Sequence, residues 1–460
     1  MNKPLVYFFF AVIAVIGSAW IVQSNGFYYI DELSRFLYSR FVLQALPVTV
    51  ETWHRPIPLW LFALPAQLGH RFTMFFGLGL YLVVLLFTYK IAVLKGLRHA
   101  EWVVLLTGLQ PILFDISYSC MNEIPAALVI VLSYWSHLKG RHGWSLAIAS
   151  LAIMCRPEAY VFAGLMFLAY LYHREWKLLP LVVIGPVIWI ALTASISGSL
   201  LTFFTEWSAY SHVKKYLPGV SVFFYPQHLA DIFGIAQVLF FAIGVVAVAR
   251  AKKTADYAIM YATIASSIIL NTLTGAEVFH WTGSIADLRY LTVVGPFFGI
   301  IAVSGMSDLL ERIPRPASRT AFSVVVLGIL VFNCTLTTHP RRWENYDKVV
   351  IDMTAAAVKT YPGVTILSNH PIVHYMMDVA PTGGVNCSLF TQRSLSEHAT
   401  CLVLVDPFTE NSIYFSSDVA KEDLLRDPAM VVVDQYVYAH SEYLLLYKNS
   451  RGGLAELKHN

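Results

Sequence analysis

The chain has 460 residues, 57% of them hydrophobic and only 13% charged, with a formal net charge of +3. That charged share is about half the soluble norm, so a water-surrounded globule is excluded and the solvent must be largely lipid. A small net charge with no basic run gives no sign of a nucleic-acid partner.

Apolar stretches long enough to approach the roughly 20 residues of a crossing recur along the chain. They are Leu5–Val22, Met74–Leu94, Ala100–Ile116, Ile124–Leu138, Trp144–Met154, Ala159–Tyr172 and Leu178–Ile196. Ile232–Ala249, Ala258–Thr274, Leu291–Met306 and Ala321–Thr337 complete a set of about eleven. Leu5–Val22 is long for a signal h-region and reads as an anchor. Basic residues fall in alternate short loops: Lys90, Lys95 and Arg98; Lys139 and Arg141; Arg174 and Lys177; Arg250, Lys252 and Lys253; Arg312, Arg315 and Arg319. The positive-inside rule places these and Lys3 in the cytoplasm, and the C-terminus outside.

The first external loop, 23–71, reads as two interfacial helices. Asp31–Leu46 sets Leu33, Phe36, Leu37, Phe41 and Val42 against Arg35 and Arg40, an amphipathic spacing. Pro58–Leu68 is apolar but too short to span. A second long external loop covers 197–231 and carries Lys214 and Lys215. The membrane part is thus 1–338. From about His339 the composition becomes that of a soluble α/β domain, 339–460, on the external side. Trp343–Tyr361 and Asn369–Asp378 are helical in pattern. Val364–Leu367, Cys401–Val405, Val431–Asp434 and Tyr443–Tyr447 read as strands. Cys387 and Cys401 fall in this domain, where a disulfide is permitted.

Ionisable residues are rare, and those on the external side come from distant segments. Asp31 and Glu32 are adjacent at the start of the first loop, followed by His54 and Arg55. Glu123 lies between the third and fourth spans, and Arg156 and Glu158 between the fifth and sixth. Lys214, Lys215, Glu277, His280, Asp287 and Arg289, with Tyr290 beside it, share that side. Charges facing lipid are costly, so these groups should point into a shared polar cavity. Almost none sits mid-span, where an ion path would need it. Glycosyl transfer from a lipid phosphate needs a carboxylate to take the acceptor's proton and cations to receive the departing phosphate. Asp31 is the candidate base, with Glu32 supporting it or binding substrate. Arg156, Arg289, Lys214 and Lys215 are candidates for the phosphate. Simpler readings stand beside these: the Asp-Glu pair and Glu123 also suit helix starts, Arg156 and Glu158 a structural ion pair, and Arg289-Tyr290 an interfacial anchor.

At these residues the chain resembles the GT-C superfamily of integral membrane glycosyltransferases, which includes protein O-mannosyltransferases, aminoarabinose transferases and lipopolysaccharide sugar transferases. Tyr29-Ile30-Asp31-Glu32 looks like the family's Asp-Glu motif. His54-Arg55-Pro56-Ile57-Pro58-Leu59-Trp60 looks like its Pro-Pro-Leu-Tyr-type helix start, with Ile57 interrupting the proline pair. Arg156-Pro157-Glu158 and Arg289-Tyr290 are similar to an Arg-Pro-Glu turn and an Arg-Tyr span start found there.

The resemblance implies an inverting transfer of one sugar from a polyprenyl-phosphate donor to a lipid-linked or cell-surface glycan, with Asp31 as base. It implies no cofactor, a divalent cation being compatible, and Ile57 leaves the subfamily open. Sparse cysteines lean towards a bacterial inner membrane. The readings from other classes are a transporter or flippase of lipid-linked sugars, which would tolerate loss of Asp31, and a membrane scaffold whose tail binds a partner.

Overall fold

The computed structural model describes residues 3–44, 46–50, 53–205, 223–275, 287–380, 384, 386–406, 419–438 and 441–449. They form two compact units: Met1–Ser24 with Thr49–Pro340, and Asn25–Val48 with Arg341–Asn460.

The first unit is helical. Lys3–Gln23, His70–Leu94, Trp176–Ser197, Leu288–Arg312 and Pro316–Thr337 are long and apolar enough to cross a membrane. Leu288–Arg312 is the most enclosed, with 89% of its apolar window buried, whereas only 17% of Pro316–Thr337 is. Val324, Phe332 and Leu336 on the latter are exposed, and such a continuous apolar face has lipid as its natural solvent. The protein is therefore an integral membrane protein.

Ala100–Gly108 and Pro111–Ser117 form a bent pair turned by 76°. Pro111 cannot donate a backbone hydrogen bond, and side-chain amides cover what the break leaves. Gln237 Nε2 donates to the Leu109 carbonyl at 3.0 Å, and Gln110 Nε2 to the Leu106 carbonyl at 3.3 Å. Glu123–Leu138, His142–Met154, Tyr160–Tyr172 and Ile235–Arg250 are shorter apolar helices, joined by Ala258–Gly275. Ile235–Arg250 lies directly on Gly295–Arg312. A Cβ at Gly244 would overlap the Ile301 carbonyl, and one at Gly305 the Phe240 carbonyl, so the crossing depends on both glycines. Phe298 stacks between Phe233 and Phe241 at 4.0 and 4.1 Å beside it.

The second unit carries a five-stranded sheet ordered β2-β1-β3-β5-β4. The strands are β1 Ile366–Leu367, β2 Cys387–Ser388, β3 Thr400–Val405, β4 Met430–Tyr438 and β5 Ser441–Asn449. β2, β1 and β3 run parallel, while β5 is antiparallel to both β3 and β4. Leu367, Cys401, Val403, Val405, Leu444 and Leu446 form its core with Phe390, Leu395 and Leu424. Helices Asn345–Thr360 and Pro371–Met376 lie inside the two segments read as helical. Strand β2 is too short to leave a sequence pattern.

Three details differ from the sequence reading. First, residues 25–48 belong to this unit rather than to the membrane bundle. Their helix, Ile30–Arg40, buries Leu33, Phe36 and Leu37 in protein, and also Glu32, Ser34, Arg35 and Ser39. Phe27 and Phe36 join Trp343 and Tyr375 in an aromatic cluster with ring centres 5.2–6.0 Å apart. The apolar stripe that spacing assigns to lipid is thus covered by protein, and Arg35 does not form a solvent face. Second, the Asp31–Leu46 helix ends at Arg40, which forks onto Asp378 at 2.7 and 3.0 Å. Third, Cys387 and Cys401 are free thiols. Strands β2 and β3 are separated by β1, which puts them about 9–10 Å apart, beyond the roughly 7 Å a disulfide spans.

Candidate active site

Helix ends in the first unit bring sequence-distant charges into one buried cluster. Glu123 opens its helix and is fully buried. Pro157 limits the backbone of the preceding turn, which presents Arg156 ahead of Tyr160–Tyr172. Arg156, 9% exposed, is ion-paired with both Glu123 and Glu158. Its guanidinium lies over the Tyr290 ring at 4.5 Å. From the start of the central span, Arg289 pairs with Asp287 and stands 3.8 Å from the Glu123 carboxylate. Arg289 also sits 5.9 Å from the Tyr290 ring centre.

Among the described residues, two arginines therefore serve three carboxylates around one aromatic ring. Burial works against the Arg156 charge, but the Glu158 and Glu123 carboxylates outweigh it and hold the group above its ordinary value. Burial raises the Asp287 carboxyl, with Arg289 acting against that rise. Asp287 also caps the Leu288–Val294 turn, accepting the Arg289 backbone N–H at 3.0 Å. The Tyr225 hydroxyl donates to its carbonyl at 3.2 Å. One atom stands out: Glu123 Oε2 is buried with no hydrogen-bond partner among the described residues. A buried carboxylate oxygen has room for a donor, and a substrate hydroxyl would satisfy it.

His54 and Arg55, 4% and 2% exposed, precede the Pro56–Gln67 helix. Arg55 has φ of 69°, a region that a residue with a Cβ rarely adopts and that costs about 1–3 kcal/mol. Its guanidinium rests 5.3 Å over Trp189, whose Nε1 donates to the Val50 carbonyl at 2.8 Å. Arg55 is near enough for its charge to act on the buried Cys155 thiol, the neighbour of Arg156. His54 packs edge-on against Trp53.

Asp31 and Glu32 belong to the second unit. Both lie in the first turn of Ile30–Arg40, where carboxylates are favoured. Glu32 is fully buried and accepts the Tyr28 backbone N–H, so its carboxylate fixes the start of the helix. Asp31 is half-buried.

Five of the sequence candidates, Glu123, Arg156, Glu158, Arg289 and Tyr290, thus meet in one place, with Arg55 close behind. Lys214, Lys215, Glu277 and His280 lie outside the described residues. Asp287 is the member that sequence reasoning underrated. It sits two residues before the Arg-Tyr pair, and an acid just ahead of an apolar run is a capping signal.

No protein-family model matches this chain, and no curated protein matches its sequence. Among solved structures, it is similar to ArnT from Cupriavidus metallidurans bound to undecaprenyl phosphate. The likeness has a TM-score of 0.61, covers 97% of this chain and 98% of that one, and comes with 12% sequence identity. At that identity the likeness establishes the fold, and the chain has the GT-C-like architecture that its short motifs resemble.

Proposed function

We propose that this protein is an inverting glycosyltransferase that moves a single sugar from a polyprenyl-phosphate donor to a lipid-linked or cell-surface glycan. One observation carries the reading: the chain matches, over nearly its whole length, the fold of a protein that holds undecaprenyl phosphate. In the proposed reaction Asp31 takes the proton of the acceptor hydroxyl. The hydroxyl oxygen bonds to the anomeric carbon as the bond from that carbon to the phosphate oxygen breaks, inverting its configuration. The electron pair leaves with the lipid phosphate, which cations receive. Glu32 holds the helix that presents Asp31. Glu123 offers its unmet oxygen to a sugar hydroxyl, and Arg156, Glu158 and Tyr290 keep Glu123 in place. Arg289 makes the longest of the cluster's ion pairs, 3.8 Å to Glu123, and is the arginine that an incoming phosphate draws most readily.

Eleven apolar helical segments are taken as crossings, and Pro56–Gln67, too short to span, is left at the interface. The five long helices, the bent pair, the four shorter apolar helices and Ala258–Gly275 give eleven among the described residues. The basic loops then face the cytoplasm of a bacterial cell, with the Glu123 cluster and the C-terminal unit on the outer side of its inner membrane.

The test is transfer by purified protein in nanodiscs, offered radiolabelled polyprenyl-phosphate mannose, glucose and aminoarabinose with a membrane glycolipid extract. Label moving onto glycolipid, with or without a chelator, supports the reading and settles metal dependence. Absence of transfer from every donor, alongside donor-stimulated lipid flipping, would replace it with the transporter reading.

A further inference from the structure

A large cavity in the first unit lies away from the charged cluster. It is an open groove of about 1020 Å³ between the N-terminal part of Lys3–Gln23 and the start of Pro316–Thr337. Its length is walled by Leu5, Phe8, Val324 and Leu327. Its end is polar, with Arg98, His99, Arg319 and Ser323. The acids at that end are engaged: Glu101 is 8% exposed beneath His99, and Glu311 pairs with Arg98 at 2.9 Å. Arg98 nevertheless keeps 75% of its side chain exposed, and Arg319 is exposed beside it. Arg315 on the adjoining turn adds positive charge, whereas Arg312 pairs with Asp308 at 2.9 Å. A smaller trough of about 430 Å³ runs along another side of the Lys3–Gln23 helix, with Lys3, Tyr7 and Tyr89 among its lining residues.

An apolar channel open to lipid and ending in exposed guanidinium groups is complementary to a lipid with an anionic phosphate head. The groove also lies at the far end of the central span from the candidate active site. Leu310 lines the groove and Arg289 belongs to the cluster. Along one continuous helical segment they are about 30 Å apart, the thickness of a hydrocarbon core. Whatever sits in the groove belongs to the other leaflet, and basic recesses between spans on that side hold anionic head groups.

We propose that this groove is a binding site for an anionic glycerophospholipid, with its phosphate on Arg98 and Arg319 and an acyl chain along Leu5, Phe8, Val324 and Leu327. The site is independent of the glycosyltransferase reading.

The test is native mass spectrometry of the full-length protein released from nanodiscs of phosphatidylglycerol and phosphatidylcholine in equal amounts, with thermal unfolding in each lipid alone. Phosphatidylglycerol should stay bound preferentially and raise the unfolding temperature above that in phosphatidylcholine. Arg98→Gln with Arg319→Gln should weaken retention about 30-fold, two head-group cations being lost. Ser323→Trp, which fills the groove and leaves both arginines, should abolish it, and decides the matter if the double variant does not fold. Equal retention of the two lipids, or retention unchanged in either folded variant, would overturn the proposal. Displacement of phosphatidylglycerol by added undecaprenyl phosphate would overturn it too, by assigning the groove to an isoprenoid lipid.

Discussion

Replacing Arg156 by Gln removes the group that holds the buried charge cluster together. Arg156 serves Glu123, which is fully buried, and Glu158, and covers the Tyr290 ring. Without it Glu123 keeps only the longer contact to Arg289 among the ion pairs of the described residues. Truncating one partner of a buried pair typically costs about 3–5 kcal/mol, because the other charge stays buried. Here Arg289 remains 3.8 Å from Glu123. At an effective dielectric of about 20 that contact is worth roughly 4 kcal/mol, so the loss falls at the low end, about 3 kcal/mol. In a unit of this size that lowers the unfolding temperature by about 3–6 °C. Adding Glu123→Gln removes the stranded charge and should restore about 2 kcal/mol, a coupling of the size that contacting residues show. Thermal unfolding of the purified single and double variants in detergent, followed by tryptophan fluorescence, measures both numbers. An Arg156→Gln protein as stable as its parent, or a double variant less stable than either single one, would refute the ion-cluster reasoning.

Other expectations are as specific. Asp347 caps the Asn345–Thr360 helix, accepting the Glu344 backbone N–H at 3.1 Å. Burial pushes its carboxyl from 3.8 up to about 6, with Glu344 adding to the rise and the backbone hydrogen bond opposing it. The folded protein then binds more protons than the unfolded chain between those values, so stability falls as pH rises from about 4 to 6 and levels off above. The full shift converts to roughly 3 kcal/mol, which partial exposure screens to about 1 kcal/mol. Asp347→Asn, which keeps the acceptor, should flatten that slope in pH-dependent unfolding. At the crossing of Ile235–Arg250 with Gly295–Arg312, Gly244→Ala should cost about 1–3 kcal/mol through overpacking. Gly79→Ala, with nothing within 4 Å of the added carbon, should be neutral or slightly stabilising by the same unfolding measurement.

Much of this architecture is legible in the chain because lipid leaves a simple pattern: the apolar runs from Leu5 onward are mostly helical where the sequence places them, with Ala100–Ile116 bent by 76° and Ile232–Ala249 broken at Gly234. The Arg156-Pro157-Glu158 turn and Arg289-Tyr290 were readable because charges near hydrocarbon need a shared partner, and that partner is Glu123. Residues 25–48 were not. Leu33, Phe36 and Leu37 have the same spacing whether they meet lipid or protein, and only the folded chain distinguishes the two. Glu32 shows the same ambiguity: two adjacent acids look equivalent in sequence, but the hydrogen bond from Tyr28 commits one of them to the helix start. The two-residue strand β2 and the strained backbone at Arg55 have no periodic signature at all.

Sugar transfer by wild type, Asp31→Asn and Glu32→Gln, compared in the same nanodiscs and at matched unfolding temperature, decides whether Asp31 is the base. Wild type should transfer sugar, Asp31→Asn should lose transfer, and Glu32→Gln, which still accepts the Tyr28 N–H, should keep most of it. Equal transfer by wild type and a folded Asp31→Asn would contradict that role and move the base to another carboxylate, with Glu123 the first to examine.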